Sequence, residues 1–129
     1  MITQLKNAVP SVAEQIYNVF QCAYKTEALL IKAEHFPPLS RTQHAIVRSN
    51  ALFYGFYCES TLAGVIEITV KNNCLSIESL TVHPCYFKKG IAGKLIAHAL
   101  TLYTYNKAIV ETAVANTPAI NLYKKTWLF

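Results

Sequence analysis

The densest chemistry in the chain lies in the segment Val82-His83-Pro84-Cys85-Tyr86-Phe87-Lys88-Lys89-Gly90-Ile91-Ala92-Gly93-Lys94-Leu95. A strand-like run precedes it and a helical pattern follows it. A helix N-terminus carries unpaired N–H groups and a partial positive charge, so it can seat a phosphate. Gly90, the small Ala92 and Gly93 would let backbone approach a pyrophosphate closely. Lys88, Lys89 and Lys94 would surround it with cations. Two better-known phosphate loops are excluded, because the chain contains neither GxxxxGK(S/T) nor GxGxxG.

Charge and composition narrow the chemistry further. The formal net charge is +5, which suits an anionic partner: nucleic acid, an acidic surface or a phosphate-bearing cofactor. The basic residues are scattered, with Lys88-Lys89 and Lys124-Lys125 as the adjacent pairs, so nucleic acid is not the expected partner. All seven acidic residues are Glu, which removes a Ser-His-Asp triad and Asp-rich calcium or magnesium loops. The cysteines at 22, 58, 74 and 85 form no CxxC pair and no zinc-like cluster with histidine, so no metal site is expected. Cys22 and Cys74 read as core, and Cys85 as an exposed loop residue. The first residues have no signal pattern and no apolar run reaches membrane length. The expectation is a cytoplasmic chain with reduced thiols, folded as a single domain over residues 1–129.

The elements that must position the loop follow from periodicity. Met1 to Lys6 reads as a short strand. Ser11-Val12-Ala13-Glu14 has the form of a capping box, and Val12, Ile16, Val19, Phe20 and Ala23 recur at helical spacing, predicting a helix over 12–24. Phe36-Pro37-Pro38-Leu39 must be a loop. Ser40 to Gln43 offers a second capping box for a short helix ending near Ser49. Three strands are expected at 51–58, 62–70 and 75–82, separated by turns at Glu59-Ser60-Thr61 and Lys71-Asn72-Asn73. A helix then starts at Gly90 or Ile91, carrying Leu95, Ile96, Ala99, Leu100 and Tyr103 on one face. Ala108 to Val114 is a further strand, and Thr117-Pro118 opens a last helix. The fold class is α/β, or α+β, in the order β-α-α-β-β-β-α-β-α.

With those elements in place, the chain resembles the GNAT acetyltransferases. Their pyrophosphate loop is (Q/R)-x-x-G-x-(G/A) after a strand ending in Val-x-Pro. Val82-His83-Pro84 and Gly90-Ile91-Ala92 correspond to it, while Phe87 stands where the family has Gln or Arg. Asn116-Thr117-Pro118-Ala119-Ile120-Asn121-Leu122-Tyr123 resembles the family's later Asn-x-x-Ala-x-x-Leu-Tyr helix. The resemblance implies a mixed, mainly antiparallel sheet flanked by helices, and acetyl-coenzyme A as co-substrate with no metal. It implies N-acetyl transfer to a primary amine by direct attack, with a small amine or a protein N-terminus as acceptor and neither nucleic acid nor membrane as partner.

It also implies roles for individual residues. The pantetheine arm would lie between two splayed parallel strands, here 75–82 and 108–114, using backbone of Leu80 and Val82 with Thr81 between them. Phe87, Lys88, Lys89, Gly90, Ile91, Ala92, Gly93 and Lys94 would hold the pyrophosphate, and Asn116 would bond the pantetheine, cap the last helix, or both. Tyr123 matches the usual acid for the departing thiolate. The base falls to Glu111 or Glu78, with Glu67 behind them. A glutamate inside an apolar strand loses solvation unless paired, which suits a group that must take up a proton. A solvent-facing strand residue is the plain alternative for each. His83 and His98 read as structural, and Phe53, Tyr54, Phe56 and Tyr57 as core and strand surface. Residues 24–42 occupy the region where the family builds its acceptor site.

The family continues past the Tyr helix with two more strands, whereas this sequence stops at Phe129, so the usual C-terminal hairpin is missing. Without it the 108–114 strand would be an exposed edge, and three explanations stand side by side: a naturally short chain, a truncated one, or an edge covered by a partner such as a second copy in a homodimer. The competing function is therefore a non-catalytic acyl-CoA-binding or assembly module.

Overall fold

The computed structural model describes residues 1–30, 32, 40–102 and 107–110. Its frame is a five-stranded sheet in sequential order: β1 (Ile2–Leu5), β2 (Leu52–Cys58), β3 (Thr61–Lys71), β4 (Cys74–Val82) and β5 (Lys107–Val110). The first three pairings are antiparallel and the last is parallel. Helix α1 (Pro10–Leu30) and the short α2 (Gln43–Arg48) lie between β1 and β2, and α3 (Ile91–Leu102) lies between β4 and β5. This is the expected mixed, mainly antiparallel class, and the element order agrees as far as β5.

Both faces of the sheet are covered, so β3 is buried at Leu62 through Ile68 instead of alternating. On one face Ile66, Ile68, Leu75 and Ile77 pack against Ile91, Leu95, Ile96 and Ala99 of α3. On the other, Phe53, Leu62 and Val65 meet Ala13, Ile16, Val19 and Phe20 of α1 and Ile46 of α2. Complete burial of a side chain such as Phe20 or Ile66 is worth roughly 1.5–3 kcal/mol. Gly64 sets the distance between α3 and the sheet. A Cβ there would lie 2.8 Å from Ile91 Cγ2 and 3.3 Å from the Thr81 carbonyl oxygen.

Several local expectations are corrected. Helix α1 begins at Pro10, whose missing N–H costs nothing in a first turn, and the Val9 carbonyl accepts from Ala13 N–H at 3.0 Å. It runs on to Leu30 because Lys25 to Leu30 contains no breaker. Cys22 is exposed on its outer side, not core, and Cys74 is half-buried. The cap of α2 is Thr42, whose side chain accepts from Ala45 N–H at 3.1 Å, rather than Ser40. Thr61 and Lys71 belong to strands, which leaves two-residue turns at Glu59-Ser60 and Asn72-Asn73. Asn72 and Asn73 both take positive φ, 51° and 60°, which suits a primed hairpin turn. The segment after β4 contains a short 3-10 turn, Pro84–Tyr86, capped by the His83 ring.

Candidate active site

The loop into α3 has the geometry that its composition suggests. Lys88 and Gly90 both adopt left-handed backbone, with φ of 63° and 75°. Two such residues in three positions bend the chain sharply, as in concavities that bind anions. The first α3 hydrogen bond of this end runs from Lys94 N–H to the Gly90 carbonyl at 3.1 Å. The N–H groups of Ile91, Ala92 and Gly93 precede it and have no partner within the helix. Nothing lies within 4 Å of a Cβ built on Gly90, so the outer side of the loop is open. Phe87, Lys88, Lys89 and Lys94 are exposed around it. Lys89 Nζ stands 5.7 Å above the Tyr86 ring, and Lys94 Nζ 5.5 Å above that of Phe56. These residues together fit a pyrophosphate.

Upstream of the loop, β4 carries a bulge. Glu67 pairs with Ser79 and Ile68 with Ile77, so Glu78 has no partner opposite. A bulge of this kind re-aims a side chain. The Glu78 carboxylate accepts from the Thr69 hydroxyl at 2.8 Å. Leu80 and Val82 pack against the α3-side core, whereas Ser79 and Thr81 are buried on the α1 side. Described β5 residues pair only with Cys74–Ile77, leaving Glu78–Val82 without a described neighbour along that edge.

The α1 side holds a network that sequence reasoning missed. Glu67 is 5% exposed. Its carboxylate accepts from Arg41 Nη1 at 2.6 Å, Arg41 Nη2 at 2.9 Å and the Ser79 hydroxyl at 2.8 Å. The single Ser79 proton is thus used, and the Tyr24 hydroxyl bonded to Ser79 must donate. Burial, and then the Glu67 charge, push the Tyr24 phenol up to about 12, so it stays a donor. The bond to Glu67 raises the Arg41 guanidinium further above its ordinary range. That guanidinium lies 5.5 Å from the Phe20 ring centroid and 5.8 Å from that of Phe53. Glu67 is therefore committed to an ion pair, whereas the Glu78 carboxylate is held by the Thr69 hydroxyl with no cation among the described residues. Arg41 left no local signal: it stands alone in the sequence, 26 residues from its partner.

A groove of about 660 Å³ opens beside these groups. Strand β2 starts at Leu52, opposite Ile68, so Thr69, Val70 and Lys71 extend beyond it. Those residues form one wall, with Ser49 to Leu52, Arg41, Glu67 and Glu78 completing it. From Glu78 to Val82 the strand covers roughly 13 Å, so β4 connects the groove to the anion-ready loop. Glu78, Leu80, Thr81, Val82 and the residues from Phe87 to Lys94 thus fall along one continuous path. His83 and His98 lie edge-on to Tyr86 and Tyr54. Glu111, Asn116 and Tyr123 lie outside the described residues.

Comparison with known proteins decides the family. The model described as the acetyltransferase (GNAT) family matches residues 13–127. This chain belongs to that family. Among its relatives is the UPF0157 protein YqkA of Bacillus subtilis (strain 168), 33% identical over 124 residues that make up 95% of this chain and 36% of that protein. The chain therefore spans only about a third of the length of this curated relative. The GNAT fold is matched by the PaiA N-acetyltransferase from Thermoplasma acidophilum in complex with coenzyme A, with a TM-score of 0.64, 25% identity and coverage of 79% of this chain and 70% of that one. It is matched again by the ribosomal-protein-S18-alanine N-acetyltransferase from Escherichia coli, with a TM-score of 0.70, 16% identity and coverage of 98% and 76%. Among the described residues, no helix of this GNAT chain is long and apolar enough to cross a membrane.

Proposed function

We propose that this chain transfers an acetyl group from acetyl-CoA to a primary amine by direct attack. The observation that carries the proposal is the continuous path from the α3 N-terminus, along β4, to the bulged Glu78 at the groove. Acetyl-CoA supplies the activated acetyl group. Backbone of Gly90, Ile91, Ala92 and Gly93 holds the pyrophosphate, aided by Lys88, Lys89 and Lys94 with Phe87 at the rim. Leu80, Thr81 and Val82 line the pantetheine arm. Glu78 accepts the proton that the attacking amine must lose, steadied by Thr69. By family resemblance Tyr123 returns a proton to the leaving thiolate, Asn116 assists at the arm, and Glu111 is the other base candidate.

Calorimetric titration of the purified chain with acetyl-CoA tests the cofactor half, with Gly90→Glu placing bulk and negative charge where the pyrophosphate should sit. Wild type should bind, and the variant should lose at least about a hundredfold in affinity, close to 2.7 kcal/mol. No binding by a folded wild type would refute the assignment. Turnover with an amine panel tests the rest. Glu78→Gln should lower kcat by about a hundredfold, within the usual range for a general base, and Tyr123→Phe should lower it strongly, both leaving acetyl-CoA affinity nearly unchanged. Binding without transfer to any amine would favour the non-catalytic module.

A further inference from the structure

The groove also bears on the kind of amine, an inference that rests on the acetyltransferase reading above. Four charged side chains line it: Arg41, Glu67, Lys71 and Glu78. Arg41 and Glu67 neutralise each other through two hydrogen bonds of 2.6 and 2.9 Å. The groove's remaining charges among the described residues are one of each sign. Glu78 is held by the Thr69 hydroxyl rather than by a cation. Lys71 is exposed at the end of β3, where the chain turns through Asn72 and Asn73.

Among the described residues, a polycation entering this groove would find one uncommitted carboxylate, that of Glu78. Its second and third ammonium groups would face Lys71, and the chain as a whole carries a formal +5. Like charges within a Debye length, about 8 Å at physiological salt, repel. An acceptor with one ammonium group avoids this: the amine meets Glu78, and a neutral or carboxylate-bearing remainder extends towards Lys71. We propose that the groove selects acceptors whose only cationic group is the reacting amine, such as an uncapped peptide α-amine followed by neutral or acidic residues, and rejects polyamines. The half-buried Arg41 guanidinium is essential to this selection, because it removes Glu67 as a second anionic contact.

Two probes test it: spermidine and the tetrapeptide alanyl-alanyl-glutamyl-alanine, each titrated calorimetrically into the full chain in the presence of coenzyme A. The peptide should bind at least about tenfold more tightly than spermidine, a difference of 1.4 kcal/mol. Lys71→Glu alters an exposed side chain and leaves the core untouched. It should shrink the ratio by about threefold or more at low salt, and by less at about 0.15 M. Spermidine binding as tightly as the peptide, a peptide that does not bind at millimolar concentration, or a ratio unmoved by Lys71→Glu would each overturn the inference. Failure to bind coenzyme A would overturn the acetyltransferase reading itself, whereas intact coenzyme binding with a preference for spermidine would overturn the charge selection alone.

Discussion

The two ends of β4 solve different problems by different means. Its C-terminal end leads into Lys88–Lys94, where the proposed cofactor contacts are mainly backbone: left-handed residues and open N–H groups, with solvent-exposed lysines around them. Its bulged middle faces the groove, where side chains from α1, the segment before α2, β3 and β4 converge on Glu67 and Ser79. The first arrangement is local and tolerant of side-chain change. The second is assembled over long sequence distances and depends on every member. A cofactor shared by many enzymes suits the former, and a site that must distinguish acceptors suits the latter.

The sharpest way to break this contrast is to remove Arg41. Glu67 would then be a buried carboxylate without its cation. Loss of one partner from such a pair costs about 3 kcal/mol. Arg41→Met should therefore lower unfolding stability by about that much in urea titrations, and the double variant Arg41→Met/Glu67→Met should recover most of it. Acetyl-CoA affinity should change little. A single variant as stable as wild type would mean that the network contributes no more than a surface pair.

Gly64→Ala probes the join between the two ends. Its Cβ would sit 2.8 Å from Ile91 and 3.3 Å from the Thr81 carbonyl, so α3 must shift outwards. Overpacking of this kind costs about 2 kcal/mol. Because Ile91 begins α3, acetyl-CoA affinity should fall as well. Calorimetry beside thermal unfolding checks both, and lost stability with unchanged affinity would show that the loop adjusts independently of the helix.

The same contrast explains what was legible in the sequence. The loop into α3 was readable because glycine spacing, lysines and a following helical pattern are all local signals. The three central strands were readable because hydrophobic runs between turn residues are local as well. Boundaries slipped where a neighbour decided them: Thr61 and Lys71 are strand residues because Cys58 and Cys74 pair with them. Cys22 was misplaced because a small apolar residue fits either side of a long helix. Glu78 was readable as a candidate but not as a bulge, since the extra residue exists only relative to β3. Arg41 was invisible, because nothing near it in sequence reveals the carboxylate it will meet. Glu67 was read as a possible base for the same reason.

Tyr24 gives a smaller, pH-dependent test of the groove end. Tyr24→Phe removes the donor to Ser79 and should cost about 1.5 kcal/mol at neutral pH. The alkaline behaviour is more specific. Below pH 10 the phenol is protonated in folded and unfolded chains alike, and its contribution is complete. The unfolded phenol ionises near its ordinary 10.0 and the folded one only at about 12. Across that window the unfolded state releases a proton that the folded state keeps, so stability falls as pH rises. Urea midpoints measured from pH 9 to 12 should drop less steeply in Tyr24→Phe than in wild type. Equal slopes would mean that Tyr24 is not the group responsible.

The least disruptive change lies at the other end. Gly90 has φ of 75°, and nothing stands within 4 Å of where its Cβ would be. Gly90→Ala therefore meets no neighbour and suffers only the left-handed penalty, about 1 kcal/mol. If the loop binds through backbone N–H groups, a methyl group on its open side should weaken acetyl-CoA by only a few-fold, against the hundredfold or greater loss in Gly90→Glu, and calorimetry on the two variants would separate charge from shape. An alanine variant as damaged as the glutamate would mean that the pyrophosphate packs directly onto the Gly90 α-carbon, so that here too, as at the groove, the site would not tolerate side-chain change.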